Sequence, residues 1–172
     1  KQASSIIVVH VERRCKMLHN WFECKIRYEK TMENGMNKKV TEPYLVDALS
    51  FTEAEARIIE EMTPFISGEF TVSDIKRANY SELFFCEEEA ADRWFKCKLT
   101  FITLDEKSGA EKKTSTNVLV QAADLREAIS HLDNGMKGTM ADYTIASVAE
   151  TAIMDVYPYS ADPDVKPEFP EA

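Results

Sequence analysis

One segment of this chain is written twice. WFECKIRY at 21–28 returns as WFKCKLTF at 94–101. The two tryptophans hold the same place in both, so Trp21, Phe22, Cys24 and Lys25 align with Trp94, Phe95, Cys97 and Lys98 at an offset of 73. After one inserted residue the offset becomes 74, and Gly35, Lys38, Lys39, Leu45 and Val46 meet Gly109, Lys112, Lys113, Leu119 and Val120. Ala48, Glu53 and Ala54 then meet Ala122, Glu127 and Ala128, and the offset returns to 73 where Phe70-Thr71-Val72 faces Tyr143-Thr144-Ile145. Similarity that runs in order through a whole unit predicts an internal duplication, so the fold must be built from two copies of one unit.

The unit can be read from local chemistry. Phe22, Cys24, Ile26 and Tyr28 alternate with Glu23, Lys25 and Arg27, as Phe95, Cys97, Leu99 and Phe101 alternate with Lys96, Lys98 and Thr100. That period of two predicts a half-buried strand. Asn34-Gly35 and Ser108-Gly109 supply the positive φ of a turn, and a second strand ending in Tyr44–Ala48 or Val118–Ala122 completes a hairpin. Ser50 and Asp124 each stand three residues before a Glu, the spacing of a capping box in which the Glu reaches back to the cap's own amide. Phe51, Ala54, Ile58 and Met62 line one face of the first helix, and Leu125, Ala128, Ile129 and Leu132 one face of the second. Pro64 stops the first helix and Asn134-Gly135 the second. A third strand follows, Phe70–Phe85 or Tyr143–Tyr157, too long to run straight, with a bulge or bend near Lys76–Asn79 and near Ala149–Ala152.

The expected fold is α+β: a duplicated β-β-α-β unit with about six mostly antiparallel strands and two helices against one face. The repeats span 17–88 and 89–158 and form one compact domain, joined by the acidic stretch Cys86–Arg93. Residues 1–16 are expected to be a leader outside the domain, with Met17 as a natural start. Residues 159–172 read as a proline-rich acidic tail, since proline removes donors and fixes φ.

Charge narrows the function. The chain carries 21 Lys and Arg against 30 Asp and Glu, a net charge of −9, which argues against a general nucleic-acid coat. No apolar run approaches the roughly 20 residues that span a bilayer. The most suggestive surface is the strand face opposite the Phe/Cys face, with Trp21, Lys25 and Arg27 in one copy and Trp94, Lys96 and Lys98 in the other. Aromatic rings beside basic groups can stack bases and hold phosphates. The competing reading packs both tryptophans between the copies with lysines snorkelling beside them, and Glu23 on the same face favours it.

The four cysteines at 15, 24, 86 and 97 form no C-x-x-C pair, so core thiols in a reducing compartment are expected rather than a metal site. His10, His19 and His131 have no copy-related partner; His131 is explained by the dipole near a helix C-terminus, and Glu53 and Glu127 by capping. Neither a catalytic set nor a Gly-rich phosphate loop is visible, so no catalytic residue, cofactor or metal is expected. The expectation is a non-catalytic, cytoplasmic module that binds another protein, with single-stranded nucleic acid at the Trp/Lys face as the alternative partner.

The W-F-x-C-K opening, the Asn-Gly hairpin, the capped helix and the returning W-F-K-C-K resemble an uncharacterised domain-of-unknown-function family of Bacteroidales bacteria and their phages. The resemblance covers about 17–158 and is carried by Trp21, Phe22 and Lys25 with their second-copy counterparts. It implies a small cytoplasmic protein of phage or mobile-element genomes, and brings no activity or site residue with it.

Overall fold

A computed structural model describes residues 20–139 and 142–159. The leader 1–16 and all of the tail but residue 159 therefore lie outside the described residues. The elements run β1 (Asn20–Thr31), β2 (Asn37–Ala48), α1 (Phe51–Met62), β3 (Phe70–Ala78), β4 (Glu82–Phe84), β5 (Arg93–Leu104), β6 (Glu111–Ala122), α2 (Leu125–Gly135), β7 (Tyr143–Glu150) and β8 (Val156–Tyr157). The class is α+β, with two helices as expected.

The strand count and arrangement differ from the expectation. There are two four-stranded mixed sheets, ordered β3-β1-β2-β8 and β4-β6-β5-β7. Each long third strand breaks close to the expected bend, and its second piece leaves for the other sheet. β4 pairs parallel with β6, Leu83 beside Leu119, and β8 pairs parallel with β2, Val156 beside Leu45. Backbone hydrogen bonds guide both crossings: Ser81 N–H donates to Asn117 O at 2.8 Å, and Met154 N–H to Pro43 O at 2.9 Å. The boundary near residue 88 therefore does not separate one sheet from the other, because β4 precedes it and lies in the second sheet.

The hairpins follow the turn chemistry. Gly35 and Gly109 both have positive φ, at 77° and 67°. The inner strands share a register irregularity as well: β3 shifts against β1 between Lys25 and Ile26, and β7 against β5 between Lys98 and Leu99.

Three apolar clusters hold these layers. Phe22, Cys24, Ile26, Val46 and Ala48 pack under Ala54, Ile58 and Met62 of α1. Phe95, Cys97, Leu99, Val118, Val120 and Ala122 pack under Ala128, Leu132 and Met136 at α2. The third cluster takes residues from the opposite faces of both sheets: Leu45, Leu119 and Trp94 with Leu83, Ile153 and Val156, and Trp21, Tyr80 and Phe85 at its margin. The order of layers is thus α1, first sheet, second sheet, α2. Each helix covers the outer face of its own sheet, rather than both lying on one face.

Both capping boxes form. Ser50 Oγ accepts from Glu53 N–H at 3.1 Å, and Asp124 Oδ1 from Glu127 N–H at 2.8 Å. Each Glu reaches one residue further than expected: Glu53 accepts from Leu49 N–H at 2.6 Å and Glu127 from Ala123 N–H at 3.1 Å. The amide before the cap is thereby satisfied too. On the helix faces, Phe51, Leu125 and Ile129 are exposed, while His131 is buried beside Ala128 and Leu132.

Gly135 does not stop α2 by a left-handed turn. It is the last helical residue, and the positive φ falls at Gly138. Its lack of a side chain serves a close approach: a Cβ there would lie 2.7 Å from Cε1 of Phe84, whose buried ring β4 brings in. Gly135→Ala is therefore expected to destabilise by about 1–3 kcal/mol through overpacking. Adding Phe84→Leu should return part of that loss in a urea denaturation series. Additive losses would show that the two positions do not compete for space.

Candidate functional site

The six residues of the Trp/Lys face separate by depth. Trp94 is 2% exposed and lies in the inter-sheet cluster, its ring edge-on to Phe85 at 5.4 Å. Trp21 and Lys25 are half-buried, whereas Arg27, Lys96 and Lys98 are exposed. Alternation puts all six on the strand faces that turn toward the other sheet. The apolar cluster occupies the tryptophan end of those faces, so a paired stacking platform is not assembled. What stays open is the basic end.

A different set of side chains does converge. The segment after β4 brings Cys86 to the side of α2 that bears Glu127 and His131, one turn apart. One donor atom from each lies within 4.8 Å of the other two. His131 is 6% and Cys86 9% exposed, while Glu127 is half-buried. His131 Nδ1 stands 2.9 Å from the Gln121 carbonyl oxygen, and Nε2 faces Glu127 Oε1 at 3.3 Å. The Gln121 side chain ties the cluster to its surroundings, accepting from Cys86 N–H at 3.0 Å and donating to Ala91 O at 2.9 Å. Its counterpart beside α1 has a different chemistry. Arg57 donates through Nη1 to the Asp47 carbonyl and through Nη2 to Pro158 O, and its guanidinium lies 5.2 Å from the Tyr159 ring centre.

Sequence reading missed this group because Cys86 is brought to α2 only by the crossing of β4. The available signal was His131 itself: it stands four residues after Glu127 and three after buried Ala128, on the inward stripe of its helix. His10, His19 and Cys15 lie outside the described residues.

Cys24 and Cys97 are buried free thiols, as expected of core cysteines. Burial pushes Cys24 up to about 12, helped by the charges of Glu23 and Glu55, and Cys97 up to about 11. Such thiols carry almost no thiolate at neutral pH and are poor nucleophiles.

The sheet edges also differ. β3, the longer of the two edge strands of the first sheet, carries Asp74, Lys76 and Arg77. β7, the longer edge strand of the second, reads YTIASVAE, is mostly exposed, and has its one charge at the last position.

The family described as a domain of unknown function, DUF4494, matches residues 20–159. The chain belongs to the DUF4494 family. That span takes in every described strand and both helices of the DUF4494 fold as one stretch. No curated protein and no solved structure matches the chain. Among the described residues of this DUF4494 domain, no helix is long and apolar enough to cross a membrane.

Two buried thiols and two half-buried phenols predict how stability varies with pH. Burial also raises Tyr157 to about 12, with Asp155 and Glu61 adding to it, and raises Tyr44 further, with help from Glu42. These groups keep their protons in the folded chain at pH values where free thiols and phenols, at about 8.5 and 10, release them. Their contribution is complete below about pH 8 and is lost as pH rises, because the unfolded chain then binds fewer protons. Urea midpoints should fall steadily from about pH 8 to pH 11, and Tyr157→Phe should flatten the upper part of that fall. A flat profile would contradict the assignment.

Proposed function

We propose that this DUF4494 protein is a non-catalytic interaction module that binds an extended segment of another protein along β7. The observation that carries this reading is the contrast between the two sheet edges. An edge strand offers a row of unpaired N–H and C=O groups, and proteins commonly protect it with charge. β3 has that protection in Asp74, Lys76 and Arg77, whereas β7 presents Thr144, Ile145, Ala146, Ser147 and Ala149 instead. An added strand takes its affinity from main-chain hydrogen bonds and its selectivity from alternate side chains. The small residues of β7 allow that close approach. The cytoplasmic, phage or mobile-element setting belongs to the same proposal and comes from the family resemblance.

We also infer that the two halves arose by internal duplication. Supporting it, the clusters under the helices correspond nearly residue for residue: Phe22 with Phe95, Cys24 with Cys97, Val46 with Val120, Ala54 with Ala128 and Met62 with Met136. The equal strand orders and the equal register shifts point the same way.

The alternative, a single strand of nucleic acid, rests on the exposed Arg27, Lys96 and Lys98. With Trp94 buried, it lacks the second stacking ring that gave it its first motive.

The test is capture of host proteins on the immobilised chain, with and without nuclease. A partner held by β7 should survive nuclease, be lost with Ser147→Lys, and be retained with the matching charge on β3, Thr71→Lys. Both variants should melt within a few degrees of the parent, since exposed substitutions usually cost within about 0.5 kcal/mol. Loss of capture on nuclease treatment would favour the basic face. Equal capture by the Ser147→Lys variant would remove β7 from consideration.

A further inference from the structure

The contacts of His131 bring its second ring nitrogen against a carboxylate and a thiol. A carbonyl oxygen can only accept, so the contact with Gln121 O at 2.9 Å places the imidazole proton on Nδ1. That leaves a lone pair on Nε2 of the neutral ring. It points at a carboxylate oxygen, Glu127 Oε1, 3.3 Å away, which is an acceptor as well. The third member is Cys86, whose sulfur is a lone-pair donor once its proton is lost. Three donor atoms thus meet within 4.8 Å in a mostly buried site. One proton, on the ring or on the thiol, joins one pair of these atoms. A metal ion joins all three.

We propose that Cys86, Glu127 and His131 bind a zinc-class divalent transition-metal ion through the Cys86 thiolate, a Glu127 carboxylate oxygen and His131 Nε2. Thiolate, imidazole and carboxylate are the ligand types that zinc takes, and three protein ligands leave a fourth position for water or a partner's side chain. Of the three side chains, Glu127 is the most exposed to solvent. Binding displaces the thiol proton to solvent.

The supports of these side chains favour the assignment. A metal-bound histidine usually gives its other N–H to a carbonyl or carboxylate, which fixes the ring. Gln121 O does this for His131, and Gln121 Oε1 fixes Cys86 through its backbone N–H at 3.0 Å. Ala123 N–H holds the other Glu127 oxygen at 3.1 Å, so Oε1 is left to the site. The first half places a permanent cation at the corresponding point, where the Arg57 guanidinium meets the Asp47 carbonyl. The second half has an imidazole and a thiol there, and on this reading the positive charge comes from the ion. The ion would also pin the segment that carries β4 to α2, joining the two halves of the chain.

The experiment uses the full chain, stripped with a chelator and titrated with zinc against a chromophoric competitor, then with cobalt(II) as a spectroscopic probe. One equivalent of zinc should bind and raise the melting temperature. Cobalt should give a thiolate charge-transfer band in the near ultraviolet. Cys86→Ser should remove that band, and Glu127→Gln, which keeps the cap to Ala123, should weaken binding. Gln121→Ala, which keeps the carbonyl that holds His131 and removes only the acceptor of the Cys86 N–H, should weaken binding less than Cys86→Ser does. Circular dichroism separates loss of binding from loss of fold. Binding at the same affinity in Cys86→Ser, or no stoichiometric binding by the folded parent chain, would overturn the proposal.

Discussion

Each sheet takes its last strand from the other half of the chain, and most of the structure depends on that exchange. A β-β-α-β unit of this size has a thin core. On its own, the second unit would leave Trp94 and Leu119 facing water and α2 without the Phe84 ring. β4 and β8 are only three and two residues long, so their hydrogen bonds alone would not hold them. Side chains do: Leu83 and Val156 enter the inter-sheet cluster, while Phe84 and Tyr157 pack with the helix clusters. One crossing therefore supplies two apolar layers at once. Truncating a fully buried tryptophan typically costs about 3–5 kcal/mol, a large fraction of a domain's stability. The cluster around Trp94 is thus what makes the two halves one folding unit.

What the sequence revealed was chemistry that acts over a few residues. Alternation in WFECKIRY and WFKCKLTF located the strands, glycine at 35 and 109 located the turns, and the cap-to-Glu spacing located both helix starts. Such signals are local because their causes are local: a pleat, a positive φ, an orphan amide. The crossings left no such trace. A parallel pairing of two or three residues has no periodicity of its own, and an apolar stretch such as Leu83–Phe85 reads equally well as the end of a bent strand. α2 ends at Gly135 as the sequence suggests, but the reason for glycine there is not local. A ring arriving from a distant strand leaves no room for a Cβ, and distant causes do not show in spacing.

The candidate metal group was hidden by the same limitation. Glu127 and His131 each had a sufficient local explanation, in a capping box and a helix dipole, and Cys86 stood in an acidic joint far from either in sequence. Only the β4 crossing brings the sulfur to the helix. Two local roles are compatible with a third, shared one, since the cap uses a single Glu127 oxygen and the Gln121 carbonyl a single His131 nitrogen. Local sufficiency is therefore weak evidence against a site whenever a residue has an atom to spare.

The two halves differ in the places that the proposed readings use. Beneath the helices the two are nearly interchangeable, because packing density tolerates little change of volume. They diverge where packing is not limiting. Arg57 against His131, Tyr159 against Cys86, and the charged β3 against β7, whose one charge is its last residue, are the largest contrasts between corresponding places. The first half satisfies its carbonyl with a fixed charge and closes its edge with charged side chains. The second half does neither in the same way. A shared core sets the position of the two sheets; the open edge β7 lies in the second sheet, and the thiol–imidazole–carboxylate group lies beside α2 on that same sheet, with Cys86 brought there from the first repeat. On the proposed readings an added strand and an ion would therefore both meet the second sheet, and the ion only because the β4 crossing carries Cys86 to it.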